Sequence, residues 1–215
     1  MALARLSLAT KMTQKTEPNN QTRIAVFISG NGSNLQALID HQAQNSDCPY
    51  DIALVFSNKE NAYGLQRAET AGVRTKCLSH REYDSRQAFE EQIVHILHDH
   101  QIELVVLAGF MRVLSPFFVS QYAQRIINIH PSLLPKFPGL NAMEQALAAR
   151  ETITGCTVHL VDDGVDTGPI LAQKEVSVSS DETIESLQKK IHAAEHQLYP
   201  SALAQFCEQG LSAQS

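Results

Sequence analysis

Residues 24–38 read IAVFISGNGSNLQAL, and the change of pattern inside them decides the fold. Ile24 to Ile28 form an unbroken apolar run with no polar side for water, which predicts a short strand buried on both faces. The glycine-rich hexapeptide Ser29-Gly-Asn-Gly-Ser-Asn34 then turns the chain, and helical spacing runs from Leu35 to His41. Ile52-Ala-Leu-Val-Phe56 and Leu104-Val-Val-Leu107 repeat the apolar signature. Helical patterns cover 64–71 and 84–100, the latter with Asp84 as N-cap. Strands alternating with helices imply right-handed crossovers, and therefore an α/β fold with a doubly wound, mostly parallel sheet. In such a fold, functional groups gather beyond the carboxyl ends of the strands.

The pattern changes after residue 150. Cys156-Thr-Val-His-Leu-Val161 and Ile170-Leu-Ala-Gln-Lys-Glu-Val176 alternate in polarity across a Gly/Asp-rich connection, which predicts a hairpin-like strand pair extending the sheet. A closing helix over Glu182–Glu208 packs behind it. No repeat or low-complexity linker interrupts this part, so residues 23–215 are expected to form a single domain. Residues 1–22 are polar and offer little to bury against their ordering entropy, and they are expected to be a disordered extension.

Composition excludes several classes. The 215 residues are 43% hydrophobic and 19% charged, enough to bury a full core. A net charge of -6 argues against a nucleic-acid scaffold, which would carry a basic patch or stripe. Cys48, Cys77, Cys156 and Cys207 lie far apart with no CxxC pair, so the simplest reading is reduced thiols in a cytoplasmic protein. No apolar run approaches the ~18 residues of a membrane span.

Three motifs carry candidate chemistry. In the 29–34 loop, glycines let backbone amides close on an anion at a helix N-terminus, which points to phosphate; an ordinary turn capped by Ser33 is the alternative. It is not a dinucleotide fingerprint, because the third glycine is missing and the second strand ends in Ser57-Asn58 rather than an acid. The second motif is Asn128-Ile-His-Pro-Ser-Leu-Leu-Pro135. Asn128 and His130 share a strand face, and Pro131 removes the next ladder donor, so both side chains stand at the strand's end. Asp166, between glycines in a later loop, would favour the imidazolium of His130 if it reached it, while Asn128 offers a neutral oxyanion donor. Taken singly, each is an ordinary structural residue. The third motif, His192-Ala-Ala-Glu195-His196, matches a zinc-protease pattern, but no third ligand is announced and no metal is expected.

Together, Ile28-Ser-Gly-Asn-Gly-Ser-Asn-Leu-Gln36, Val106-Leu-Ala-Gly-Phe-Met-Arg-Val-Leu-Ser115, Asn128–Pro135 and Asp166-Thr-Gly-Pro169 resemble the glycinamide ribonucleotide formyltransferases, folate-dependent enzymes of purine synthesis with a Rossmann-like fold. The resemblance spans about 23–208. It implies that Gly32, Ser33 and Asn34 hold the ribonucleotide phosphate and that Glu195 lies near the substrate amine. Arg86, Met111, Arg112, Val113 and Leu114, with Asn128, would line the site of 10-formyltetrahydrofolate, a co-substrate. Asn128, His130 and Asp166 would form the catalytic trio, with neither metal nor covalent enzyme intermediate. Glycinamide ribonucleotide and the formyl folate are then the expected partners of a monomer or homodimer. Methionyl-tRNA formyltransferase and formyltetrahydrofolate hydrolase share the Asn-x-His and Asp elements but are expected to carry additional domains.

Overall fold

The computed structural model describes residues 21–210. The expectation of a disordered extension falls on residues outside these, apart from Gln21 and Thr22; Thr22 already opens the first strand, β1 (Thr22–Ile28). The other strands are β2 (Tyr50–Ser57), β3 (Thr75–Cys77), β4 (Leu104–Leu107), β5 (Ile126–His130), β6 (Ile153–Leu160) and β7 (Ile170–Ser177). The helices are α1 (Ser33–Gln44), α2 (Tyr63–Thr70), α3 (Arg86–Asp99), α4 (Pro116–Gln121), α5 (Ala142–Ala148) and α6 (Ile184–Glu208). One seven-stranded sheet has the order β3-β2-β1-β4-β5-β6-β7. The pairs from β3 through β5 are parallel, whereas β6 runs antiparallel to β5 and forms the expected antiparallel pair with β7.

The apolar runs sit in the sheet centre because both faces are covered. Ile24, Val26 and Ile28 pack with Leu35 and Leu38 of α1 and Leu203 and Phe206 of α6, while Ala25 and Phe27 pack with Phe89, Ile93 and Leu97 of α3. Neighbouring residues of one strand thus feed two separate cores, as the period of two requires.

Two helix starts differ from the sequence reading. Ser85, not Asp84, caps α3: it is extended at φ −146°, and its hydroxyl accepts the Ala88 amide at 3.0 Å. The closing helix begins at Ile184 rather than Glu182, because Thr183 accepts the Ser186 amide at 3.2 Å and Ser186 returns the bond at 3.1 Å. A reciprocal cap fixes the first turn more strongly than a neighbouring acid does.

The strand order reverses between β1 and β4, which is where an open α/β sheet forms its crevice. There the loops after the two strands are tied together. The Ser29 amide donates to the Gly109 carbonyl at 3.1 Å, and the buried Ser29 hydroxyl accepts the Met111 amide at 2.8 Å.

Candidate active site

β5 ends as expected at His130, and its two faces have different fates. Ile127 and Ile129 enter the α1/α6 core, and Ile126 enters the α3/α4 core. Asn128 and His130 share the face of Ile126 but lie beyond the helices that cover it, so they border a cleft of about 620 Å³. The loop after β5 is held from below. Thr157 of β6 donates to the Ser132 carbonyl at 2.6 Å and accepts the Leu134 amide at 3.0 Å, and Gln173 of β7 donates to the Leu134 carbonyl at 2.8 Å.

Asp166 reaches this face from the loop between β6 and β7. Its Oδ2 lies 3.2 Å from Nδ1 of His130 and accepts the Gly139 amide at 2.8 Å; its Oδ1 lies 3.5 Å from Nε2 of His159. Asp166 itself has φ +54°, a strained left-handed conformation for a residue with a Cβ. Gly168 lets the loop return, since a Cβ there would stand 2.0 Å from the Leu160 carbonyl oxygen. Burial alone would raise the Asp166 carboxyl, but the Gly139 amide and the charge of His130 hold it below the usual carboxylate range. The other ring nitrogen of His130, Nε2, faces the Phe137 carbonyl at 2.8 Å. Both nitrogens therefore face acceptors, and only the doubly protonated ring can donate to both.

The apolar side of the cleft comes from the loop after β4. Met111, Arg112, Val113 and Leu114 all line it, with Met111 and Val113 each 69% exposed at its mouth. Leu140 and Val165 form the facing rim. Arg86 is not among the residues that line this cleft. It stands behind the loop at the start of α3, where its guanidinium donates to the Val113 carbonyl and lies 3.2 Å from the buried Glu90. A long side chain from the first turn of α3 reaches the back of this loop rather than its open face.

The remaining expected residues form a second cluster at the carboxyl end of β1. Gly32 precedes α1 with φ +74°, and a Cβ on it would meet Cα of Gly64 at 2.7 Å. It is thus both a left-handed turn residue and the contact through which α2 approaches. Ser33 is the first residue of α1 rather than its cap, and no side chain caps the amides of that first turn. Asn34 Nδ2 donates to Glu195 Oε2 at 2.9 Å, while its buried Oδ1 has no partner. Burial raises the Glu195 carboxyl, opposed by the Asn34 bond and by His192. Glu195 thus belongs to this cluster, and the stacked rings of His192 and His196 lie 6.2 Å apart beside it. Among the described residues, no three His, Cys, Asp or Glu side chains are grouped to hold a metal ion. The two clusters are linked through α6: one turn beyond Glu195, the Tyr199 hydroxyl bonds the carbonyls of Leu107 at 3.0 Å and Ile127 at 3.2 Å.

Residues 22–203 match the Formyl transferase family. The chain belongs to that family. Among relatives of this formyl transferase, the phosphoribosylglycinamide formyltransferase of Escherichia coli K12 is 44% identical over 185 residues, covering 86% of this chain and 87% of the relative. The trifunctional purine biosynthetic protein adenosine-3 of Drosophila melanogaster is 48% identical over 193 residues, 89% of this chain but only 14% of that much longer protein. In three dimensions, glycinamide ribonucleotide transformylase 1 of Symbiobacterium toebii superposes with a TM-score of 0.86 at 42% identity, covering 93% of each chain.

One residue of the formyl transferase site escaped the sequence reading. His159 is 2% exposed, and its Nε2 lies 3.2 Å from Asn128 Nδ2 and 3.5 Å from Asp166 Oδ1. A signal existed: Thr157 and His159 interrupt an apolar strand at alternate positions, as Asn128 and His130 do. The pairing of Asn128 opposite His159 depends on the antiparallel register of β5 and β6, which no local pattern encodes.

Proposed function

We propose that this chain transfers the formyl group of 10-formyltetrahydrofolate to the amine of glycinamide ribonucleotide. The observation that carries the reading is the pair of buried His130 and partly buried Asp166, which opens with Asn128 onto a cleft whose other wall is apolar. An apolar slot with a few convergent polar groups suits a flat heteroaromatic ring such as a pterin. Backbone groups of the Met111–Leu114 segment, which lines the cleft, would hold its edge. The amides at the start of α1 would hold the phosphate, and Glu195 would stand near the amine.

The amine nitrogen attacks the formyl carbon, and the carbonyl electron pair moves onto oxygen. Asn128 donates to this oxyanion as a neutral group, and His130 as a cation kept charged and oriented by Asp166. The oxyanion competes with the Phe137 carbonyl for the Nε2 hydrogen, and its negative charge makes it the better acceptor. Collapse breaks the bond to the folate nitrogen, which gains a proton as the new amide loses one.

The test is an absorbance assay on purified protein with the formyl donor, with and without glycinamide ribonucleotide. Acceptor-dependent turnover is expected. Turnover without acceptor would replace this reading with hydrolysis of the donor. His130→Ala should lose ~10²-fold or more in kcat while still binding the ribonucleotide, the size expected when an oxyanion donor is removed; near-normal activity would remove His130 from the mechanism.

A further inference from the structure

His159 is buried beside the reacting groups, yet the mechanism above gives it no task. Its hydrogen bonds define one. On β6 it stands directly opposite Asn128 of β5, with Nδ1 2.8 Å from the Leu160 carbonyl oxygen and Nε2 3.2 Å from Nδ2 of Asn128. A carbonyl oxygen only accepts, so Nδ1 carries the hydrogen, and in the neutral ring Nε2 presents a lone pair. That lone pair can accept from an amide NH₂, whereas it repels an amide oxygen. The alternative, a hydrogen on Nε2 donated to Asp166, requires a charged ring and sets that hydrogen against those of Asn128. The contact to Asn128, 3.2 Å, is shorter than that to Asp166 Oδ1, 3.5 Å, and selects the neutral arrangement.

We propose that His159 is a positioning residue that sets the amide orientation of Asn128, accepting one Nδ2 hydrogen so that the other points into the cleft. The proposal rests on the reading of Asn128 as the oxyanion donor. Without His159, the side-chain amide of Asn128 can rotate by half a turn and present its oxygen to the developing negative charge, which repels it. The Leu160 carbonyl, which fixes the tautomer, lies in turn beneath Gly168 at the return of the Asp166 loop. One short segment therefore orients both Asp166 and, through His159, Asn128.

The test combines spectroscopy with kinetics. Nitrogen-15 NMR of the wild-type protein labelled in histidine should show His159 as the neutral Nδ1–H tautomer. A charged ring or the Nε2–H tautomer would overturn the proposal, and this measurement holds whether or not formyl transfer is the reaction. In the assay, His159→Leu should lower kcat by ~10–100-fold with little change in either KM, as expected for a misoriented oxyanion donor. His159→Gln, whose amide oxygen can stand where Nε2 does, should recover kcat to within ~5-fold of wild type, since one acceptor replaces another. On an Asn128→Ala background, His159→Leu should cost less than ~2-fold, because the donor it orients is already gone. Full multiplication of the two losses would mean that His159 acts only as core packing and would overturn the proposal. Failure of the wild-type enzyme to use glycinamide ribonucleotide would count against the proposed function and leave the tautomer measurement standing.

Discussion

Asn34 donates its side-chain amide to Glu195 across 2.9 Å, tying the first turn of α1 to α6 over 161 residues of chain. Burial pushes the Glu195 carboxyl up from its ordinary value of 4.5, and the Asn34 donor partly offsets this by favouring the charged form. Removing the donor must therefore move the carboxyl further up. In Asn34→Ala, a carbon-13 titration should place the Glu195 midpoint above that of wild type. A raised folded-state carboxyl is stabilising below its unfolded value and loses that contribution as pH rises through the folded one. The variant should accordingly lose more Tm than wild type as pH rises toward neutrality. An unmoved midpoint would mean that the bond does not form in solution. The same variant should weaken the ribonucleotide and spare the folate.

Asp166 has the opposite sign. Although burial works against it, its bonds hold the folded-state carboxyl below 3.8, so it stabilises the protein above that pH and the contribution disappears as pH falls through the depressed value. Asp166→Asn should therefore have a lower Tm than wild type at neutral pH, with the two curves converging in acid. It should also lower kcat by about 10²–10⁴-fold, by analogy with the loss of other carboxylates that orient a catalytic histidine. A variant with normal kcat at pH 7 would show that His130 needs no carboxylate partner.

Gly32 separates packing from binding. Alanine there would adopt φ +74° at a cost of about 1–2 kcal/mol and crowd Gly64 for about 1–3 kcal/mol more. Thermal or urea unfolding of Gly32→Ala should thus show a loss of roughly 2–5 kcal/mol on those two terms. A smaller change, under about 0.5 kcal/mol, the usual size of an ordinary surface substitution, would show that α2 moves freely away from the loop. Because this glycine supports the helix packing, weakened phosphate binding in the variant would not by itself identify it as a ligand.

The central sheet was legible because its strands are buried on both sides. Ile24–Ile28, Ile52–Phe56 and Leu104–Leu107 lie within β1, β2 and β4. β3 has only Thr75–Cys77 at a sheet edge, none of it fully buried, so no apolar run marked it. α4 and α5, of six and seven residues, are too short to establish a helical period, although Ser115 and Pro116 form a recognisable start. In the site, Asn128 and His130 stood out because polar residues at a strand's end break the apolar pattern. Nothing in the chain between 130 and 166 shows that Asp166 returns to within 3.2 Å, and that contact depends on a positive φ at Asp166 and the absence of a side chain at Gly168.

Arg86 gives a prediction that distinguishes support from direct contact. Its guanidinium joins the Val113 carbonyl to Glu90, and Glu90 also accepts the Ser115 amide at 3.0 Å and the Ser115 hydroxyl. The 111–114 wall is thus fastened from behind through α3. Because the Arg86 side chain is 46% exposed, its contribution is discounted to about 1 kcal/mol, which is roughly a fivefold change in an equilibrium. Arg86→Ala should therefore raise the KM for the formyl folate by ~3–10-fold and leave kcat within ~2-fold, because the wall shifts while Asn128, His130 and Asp166 stay in place. Arg86→Lys should recover only part of this loss, since a point charge cannot serve the Val113 carbonyl and the Glu90 carboxylate with the geometry of a planar fork. If kcat fell instead and KM held, the loop after β4 would be coupled to the chemistry itself rather than to holding the donor.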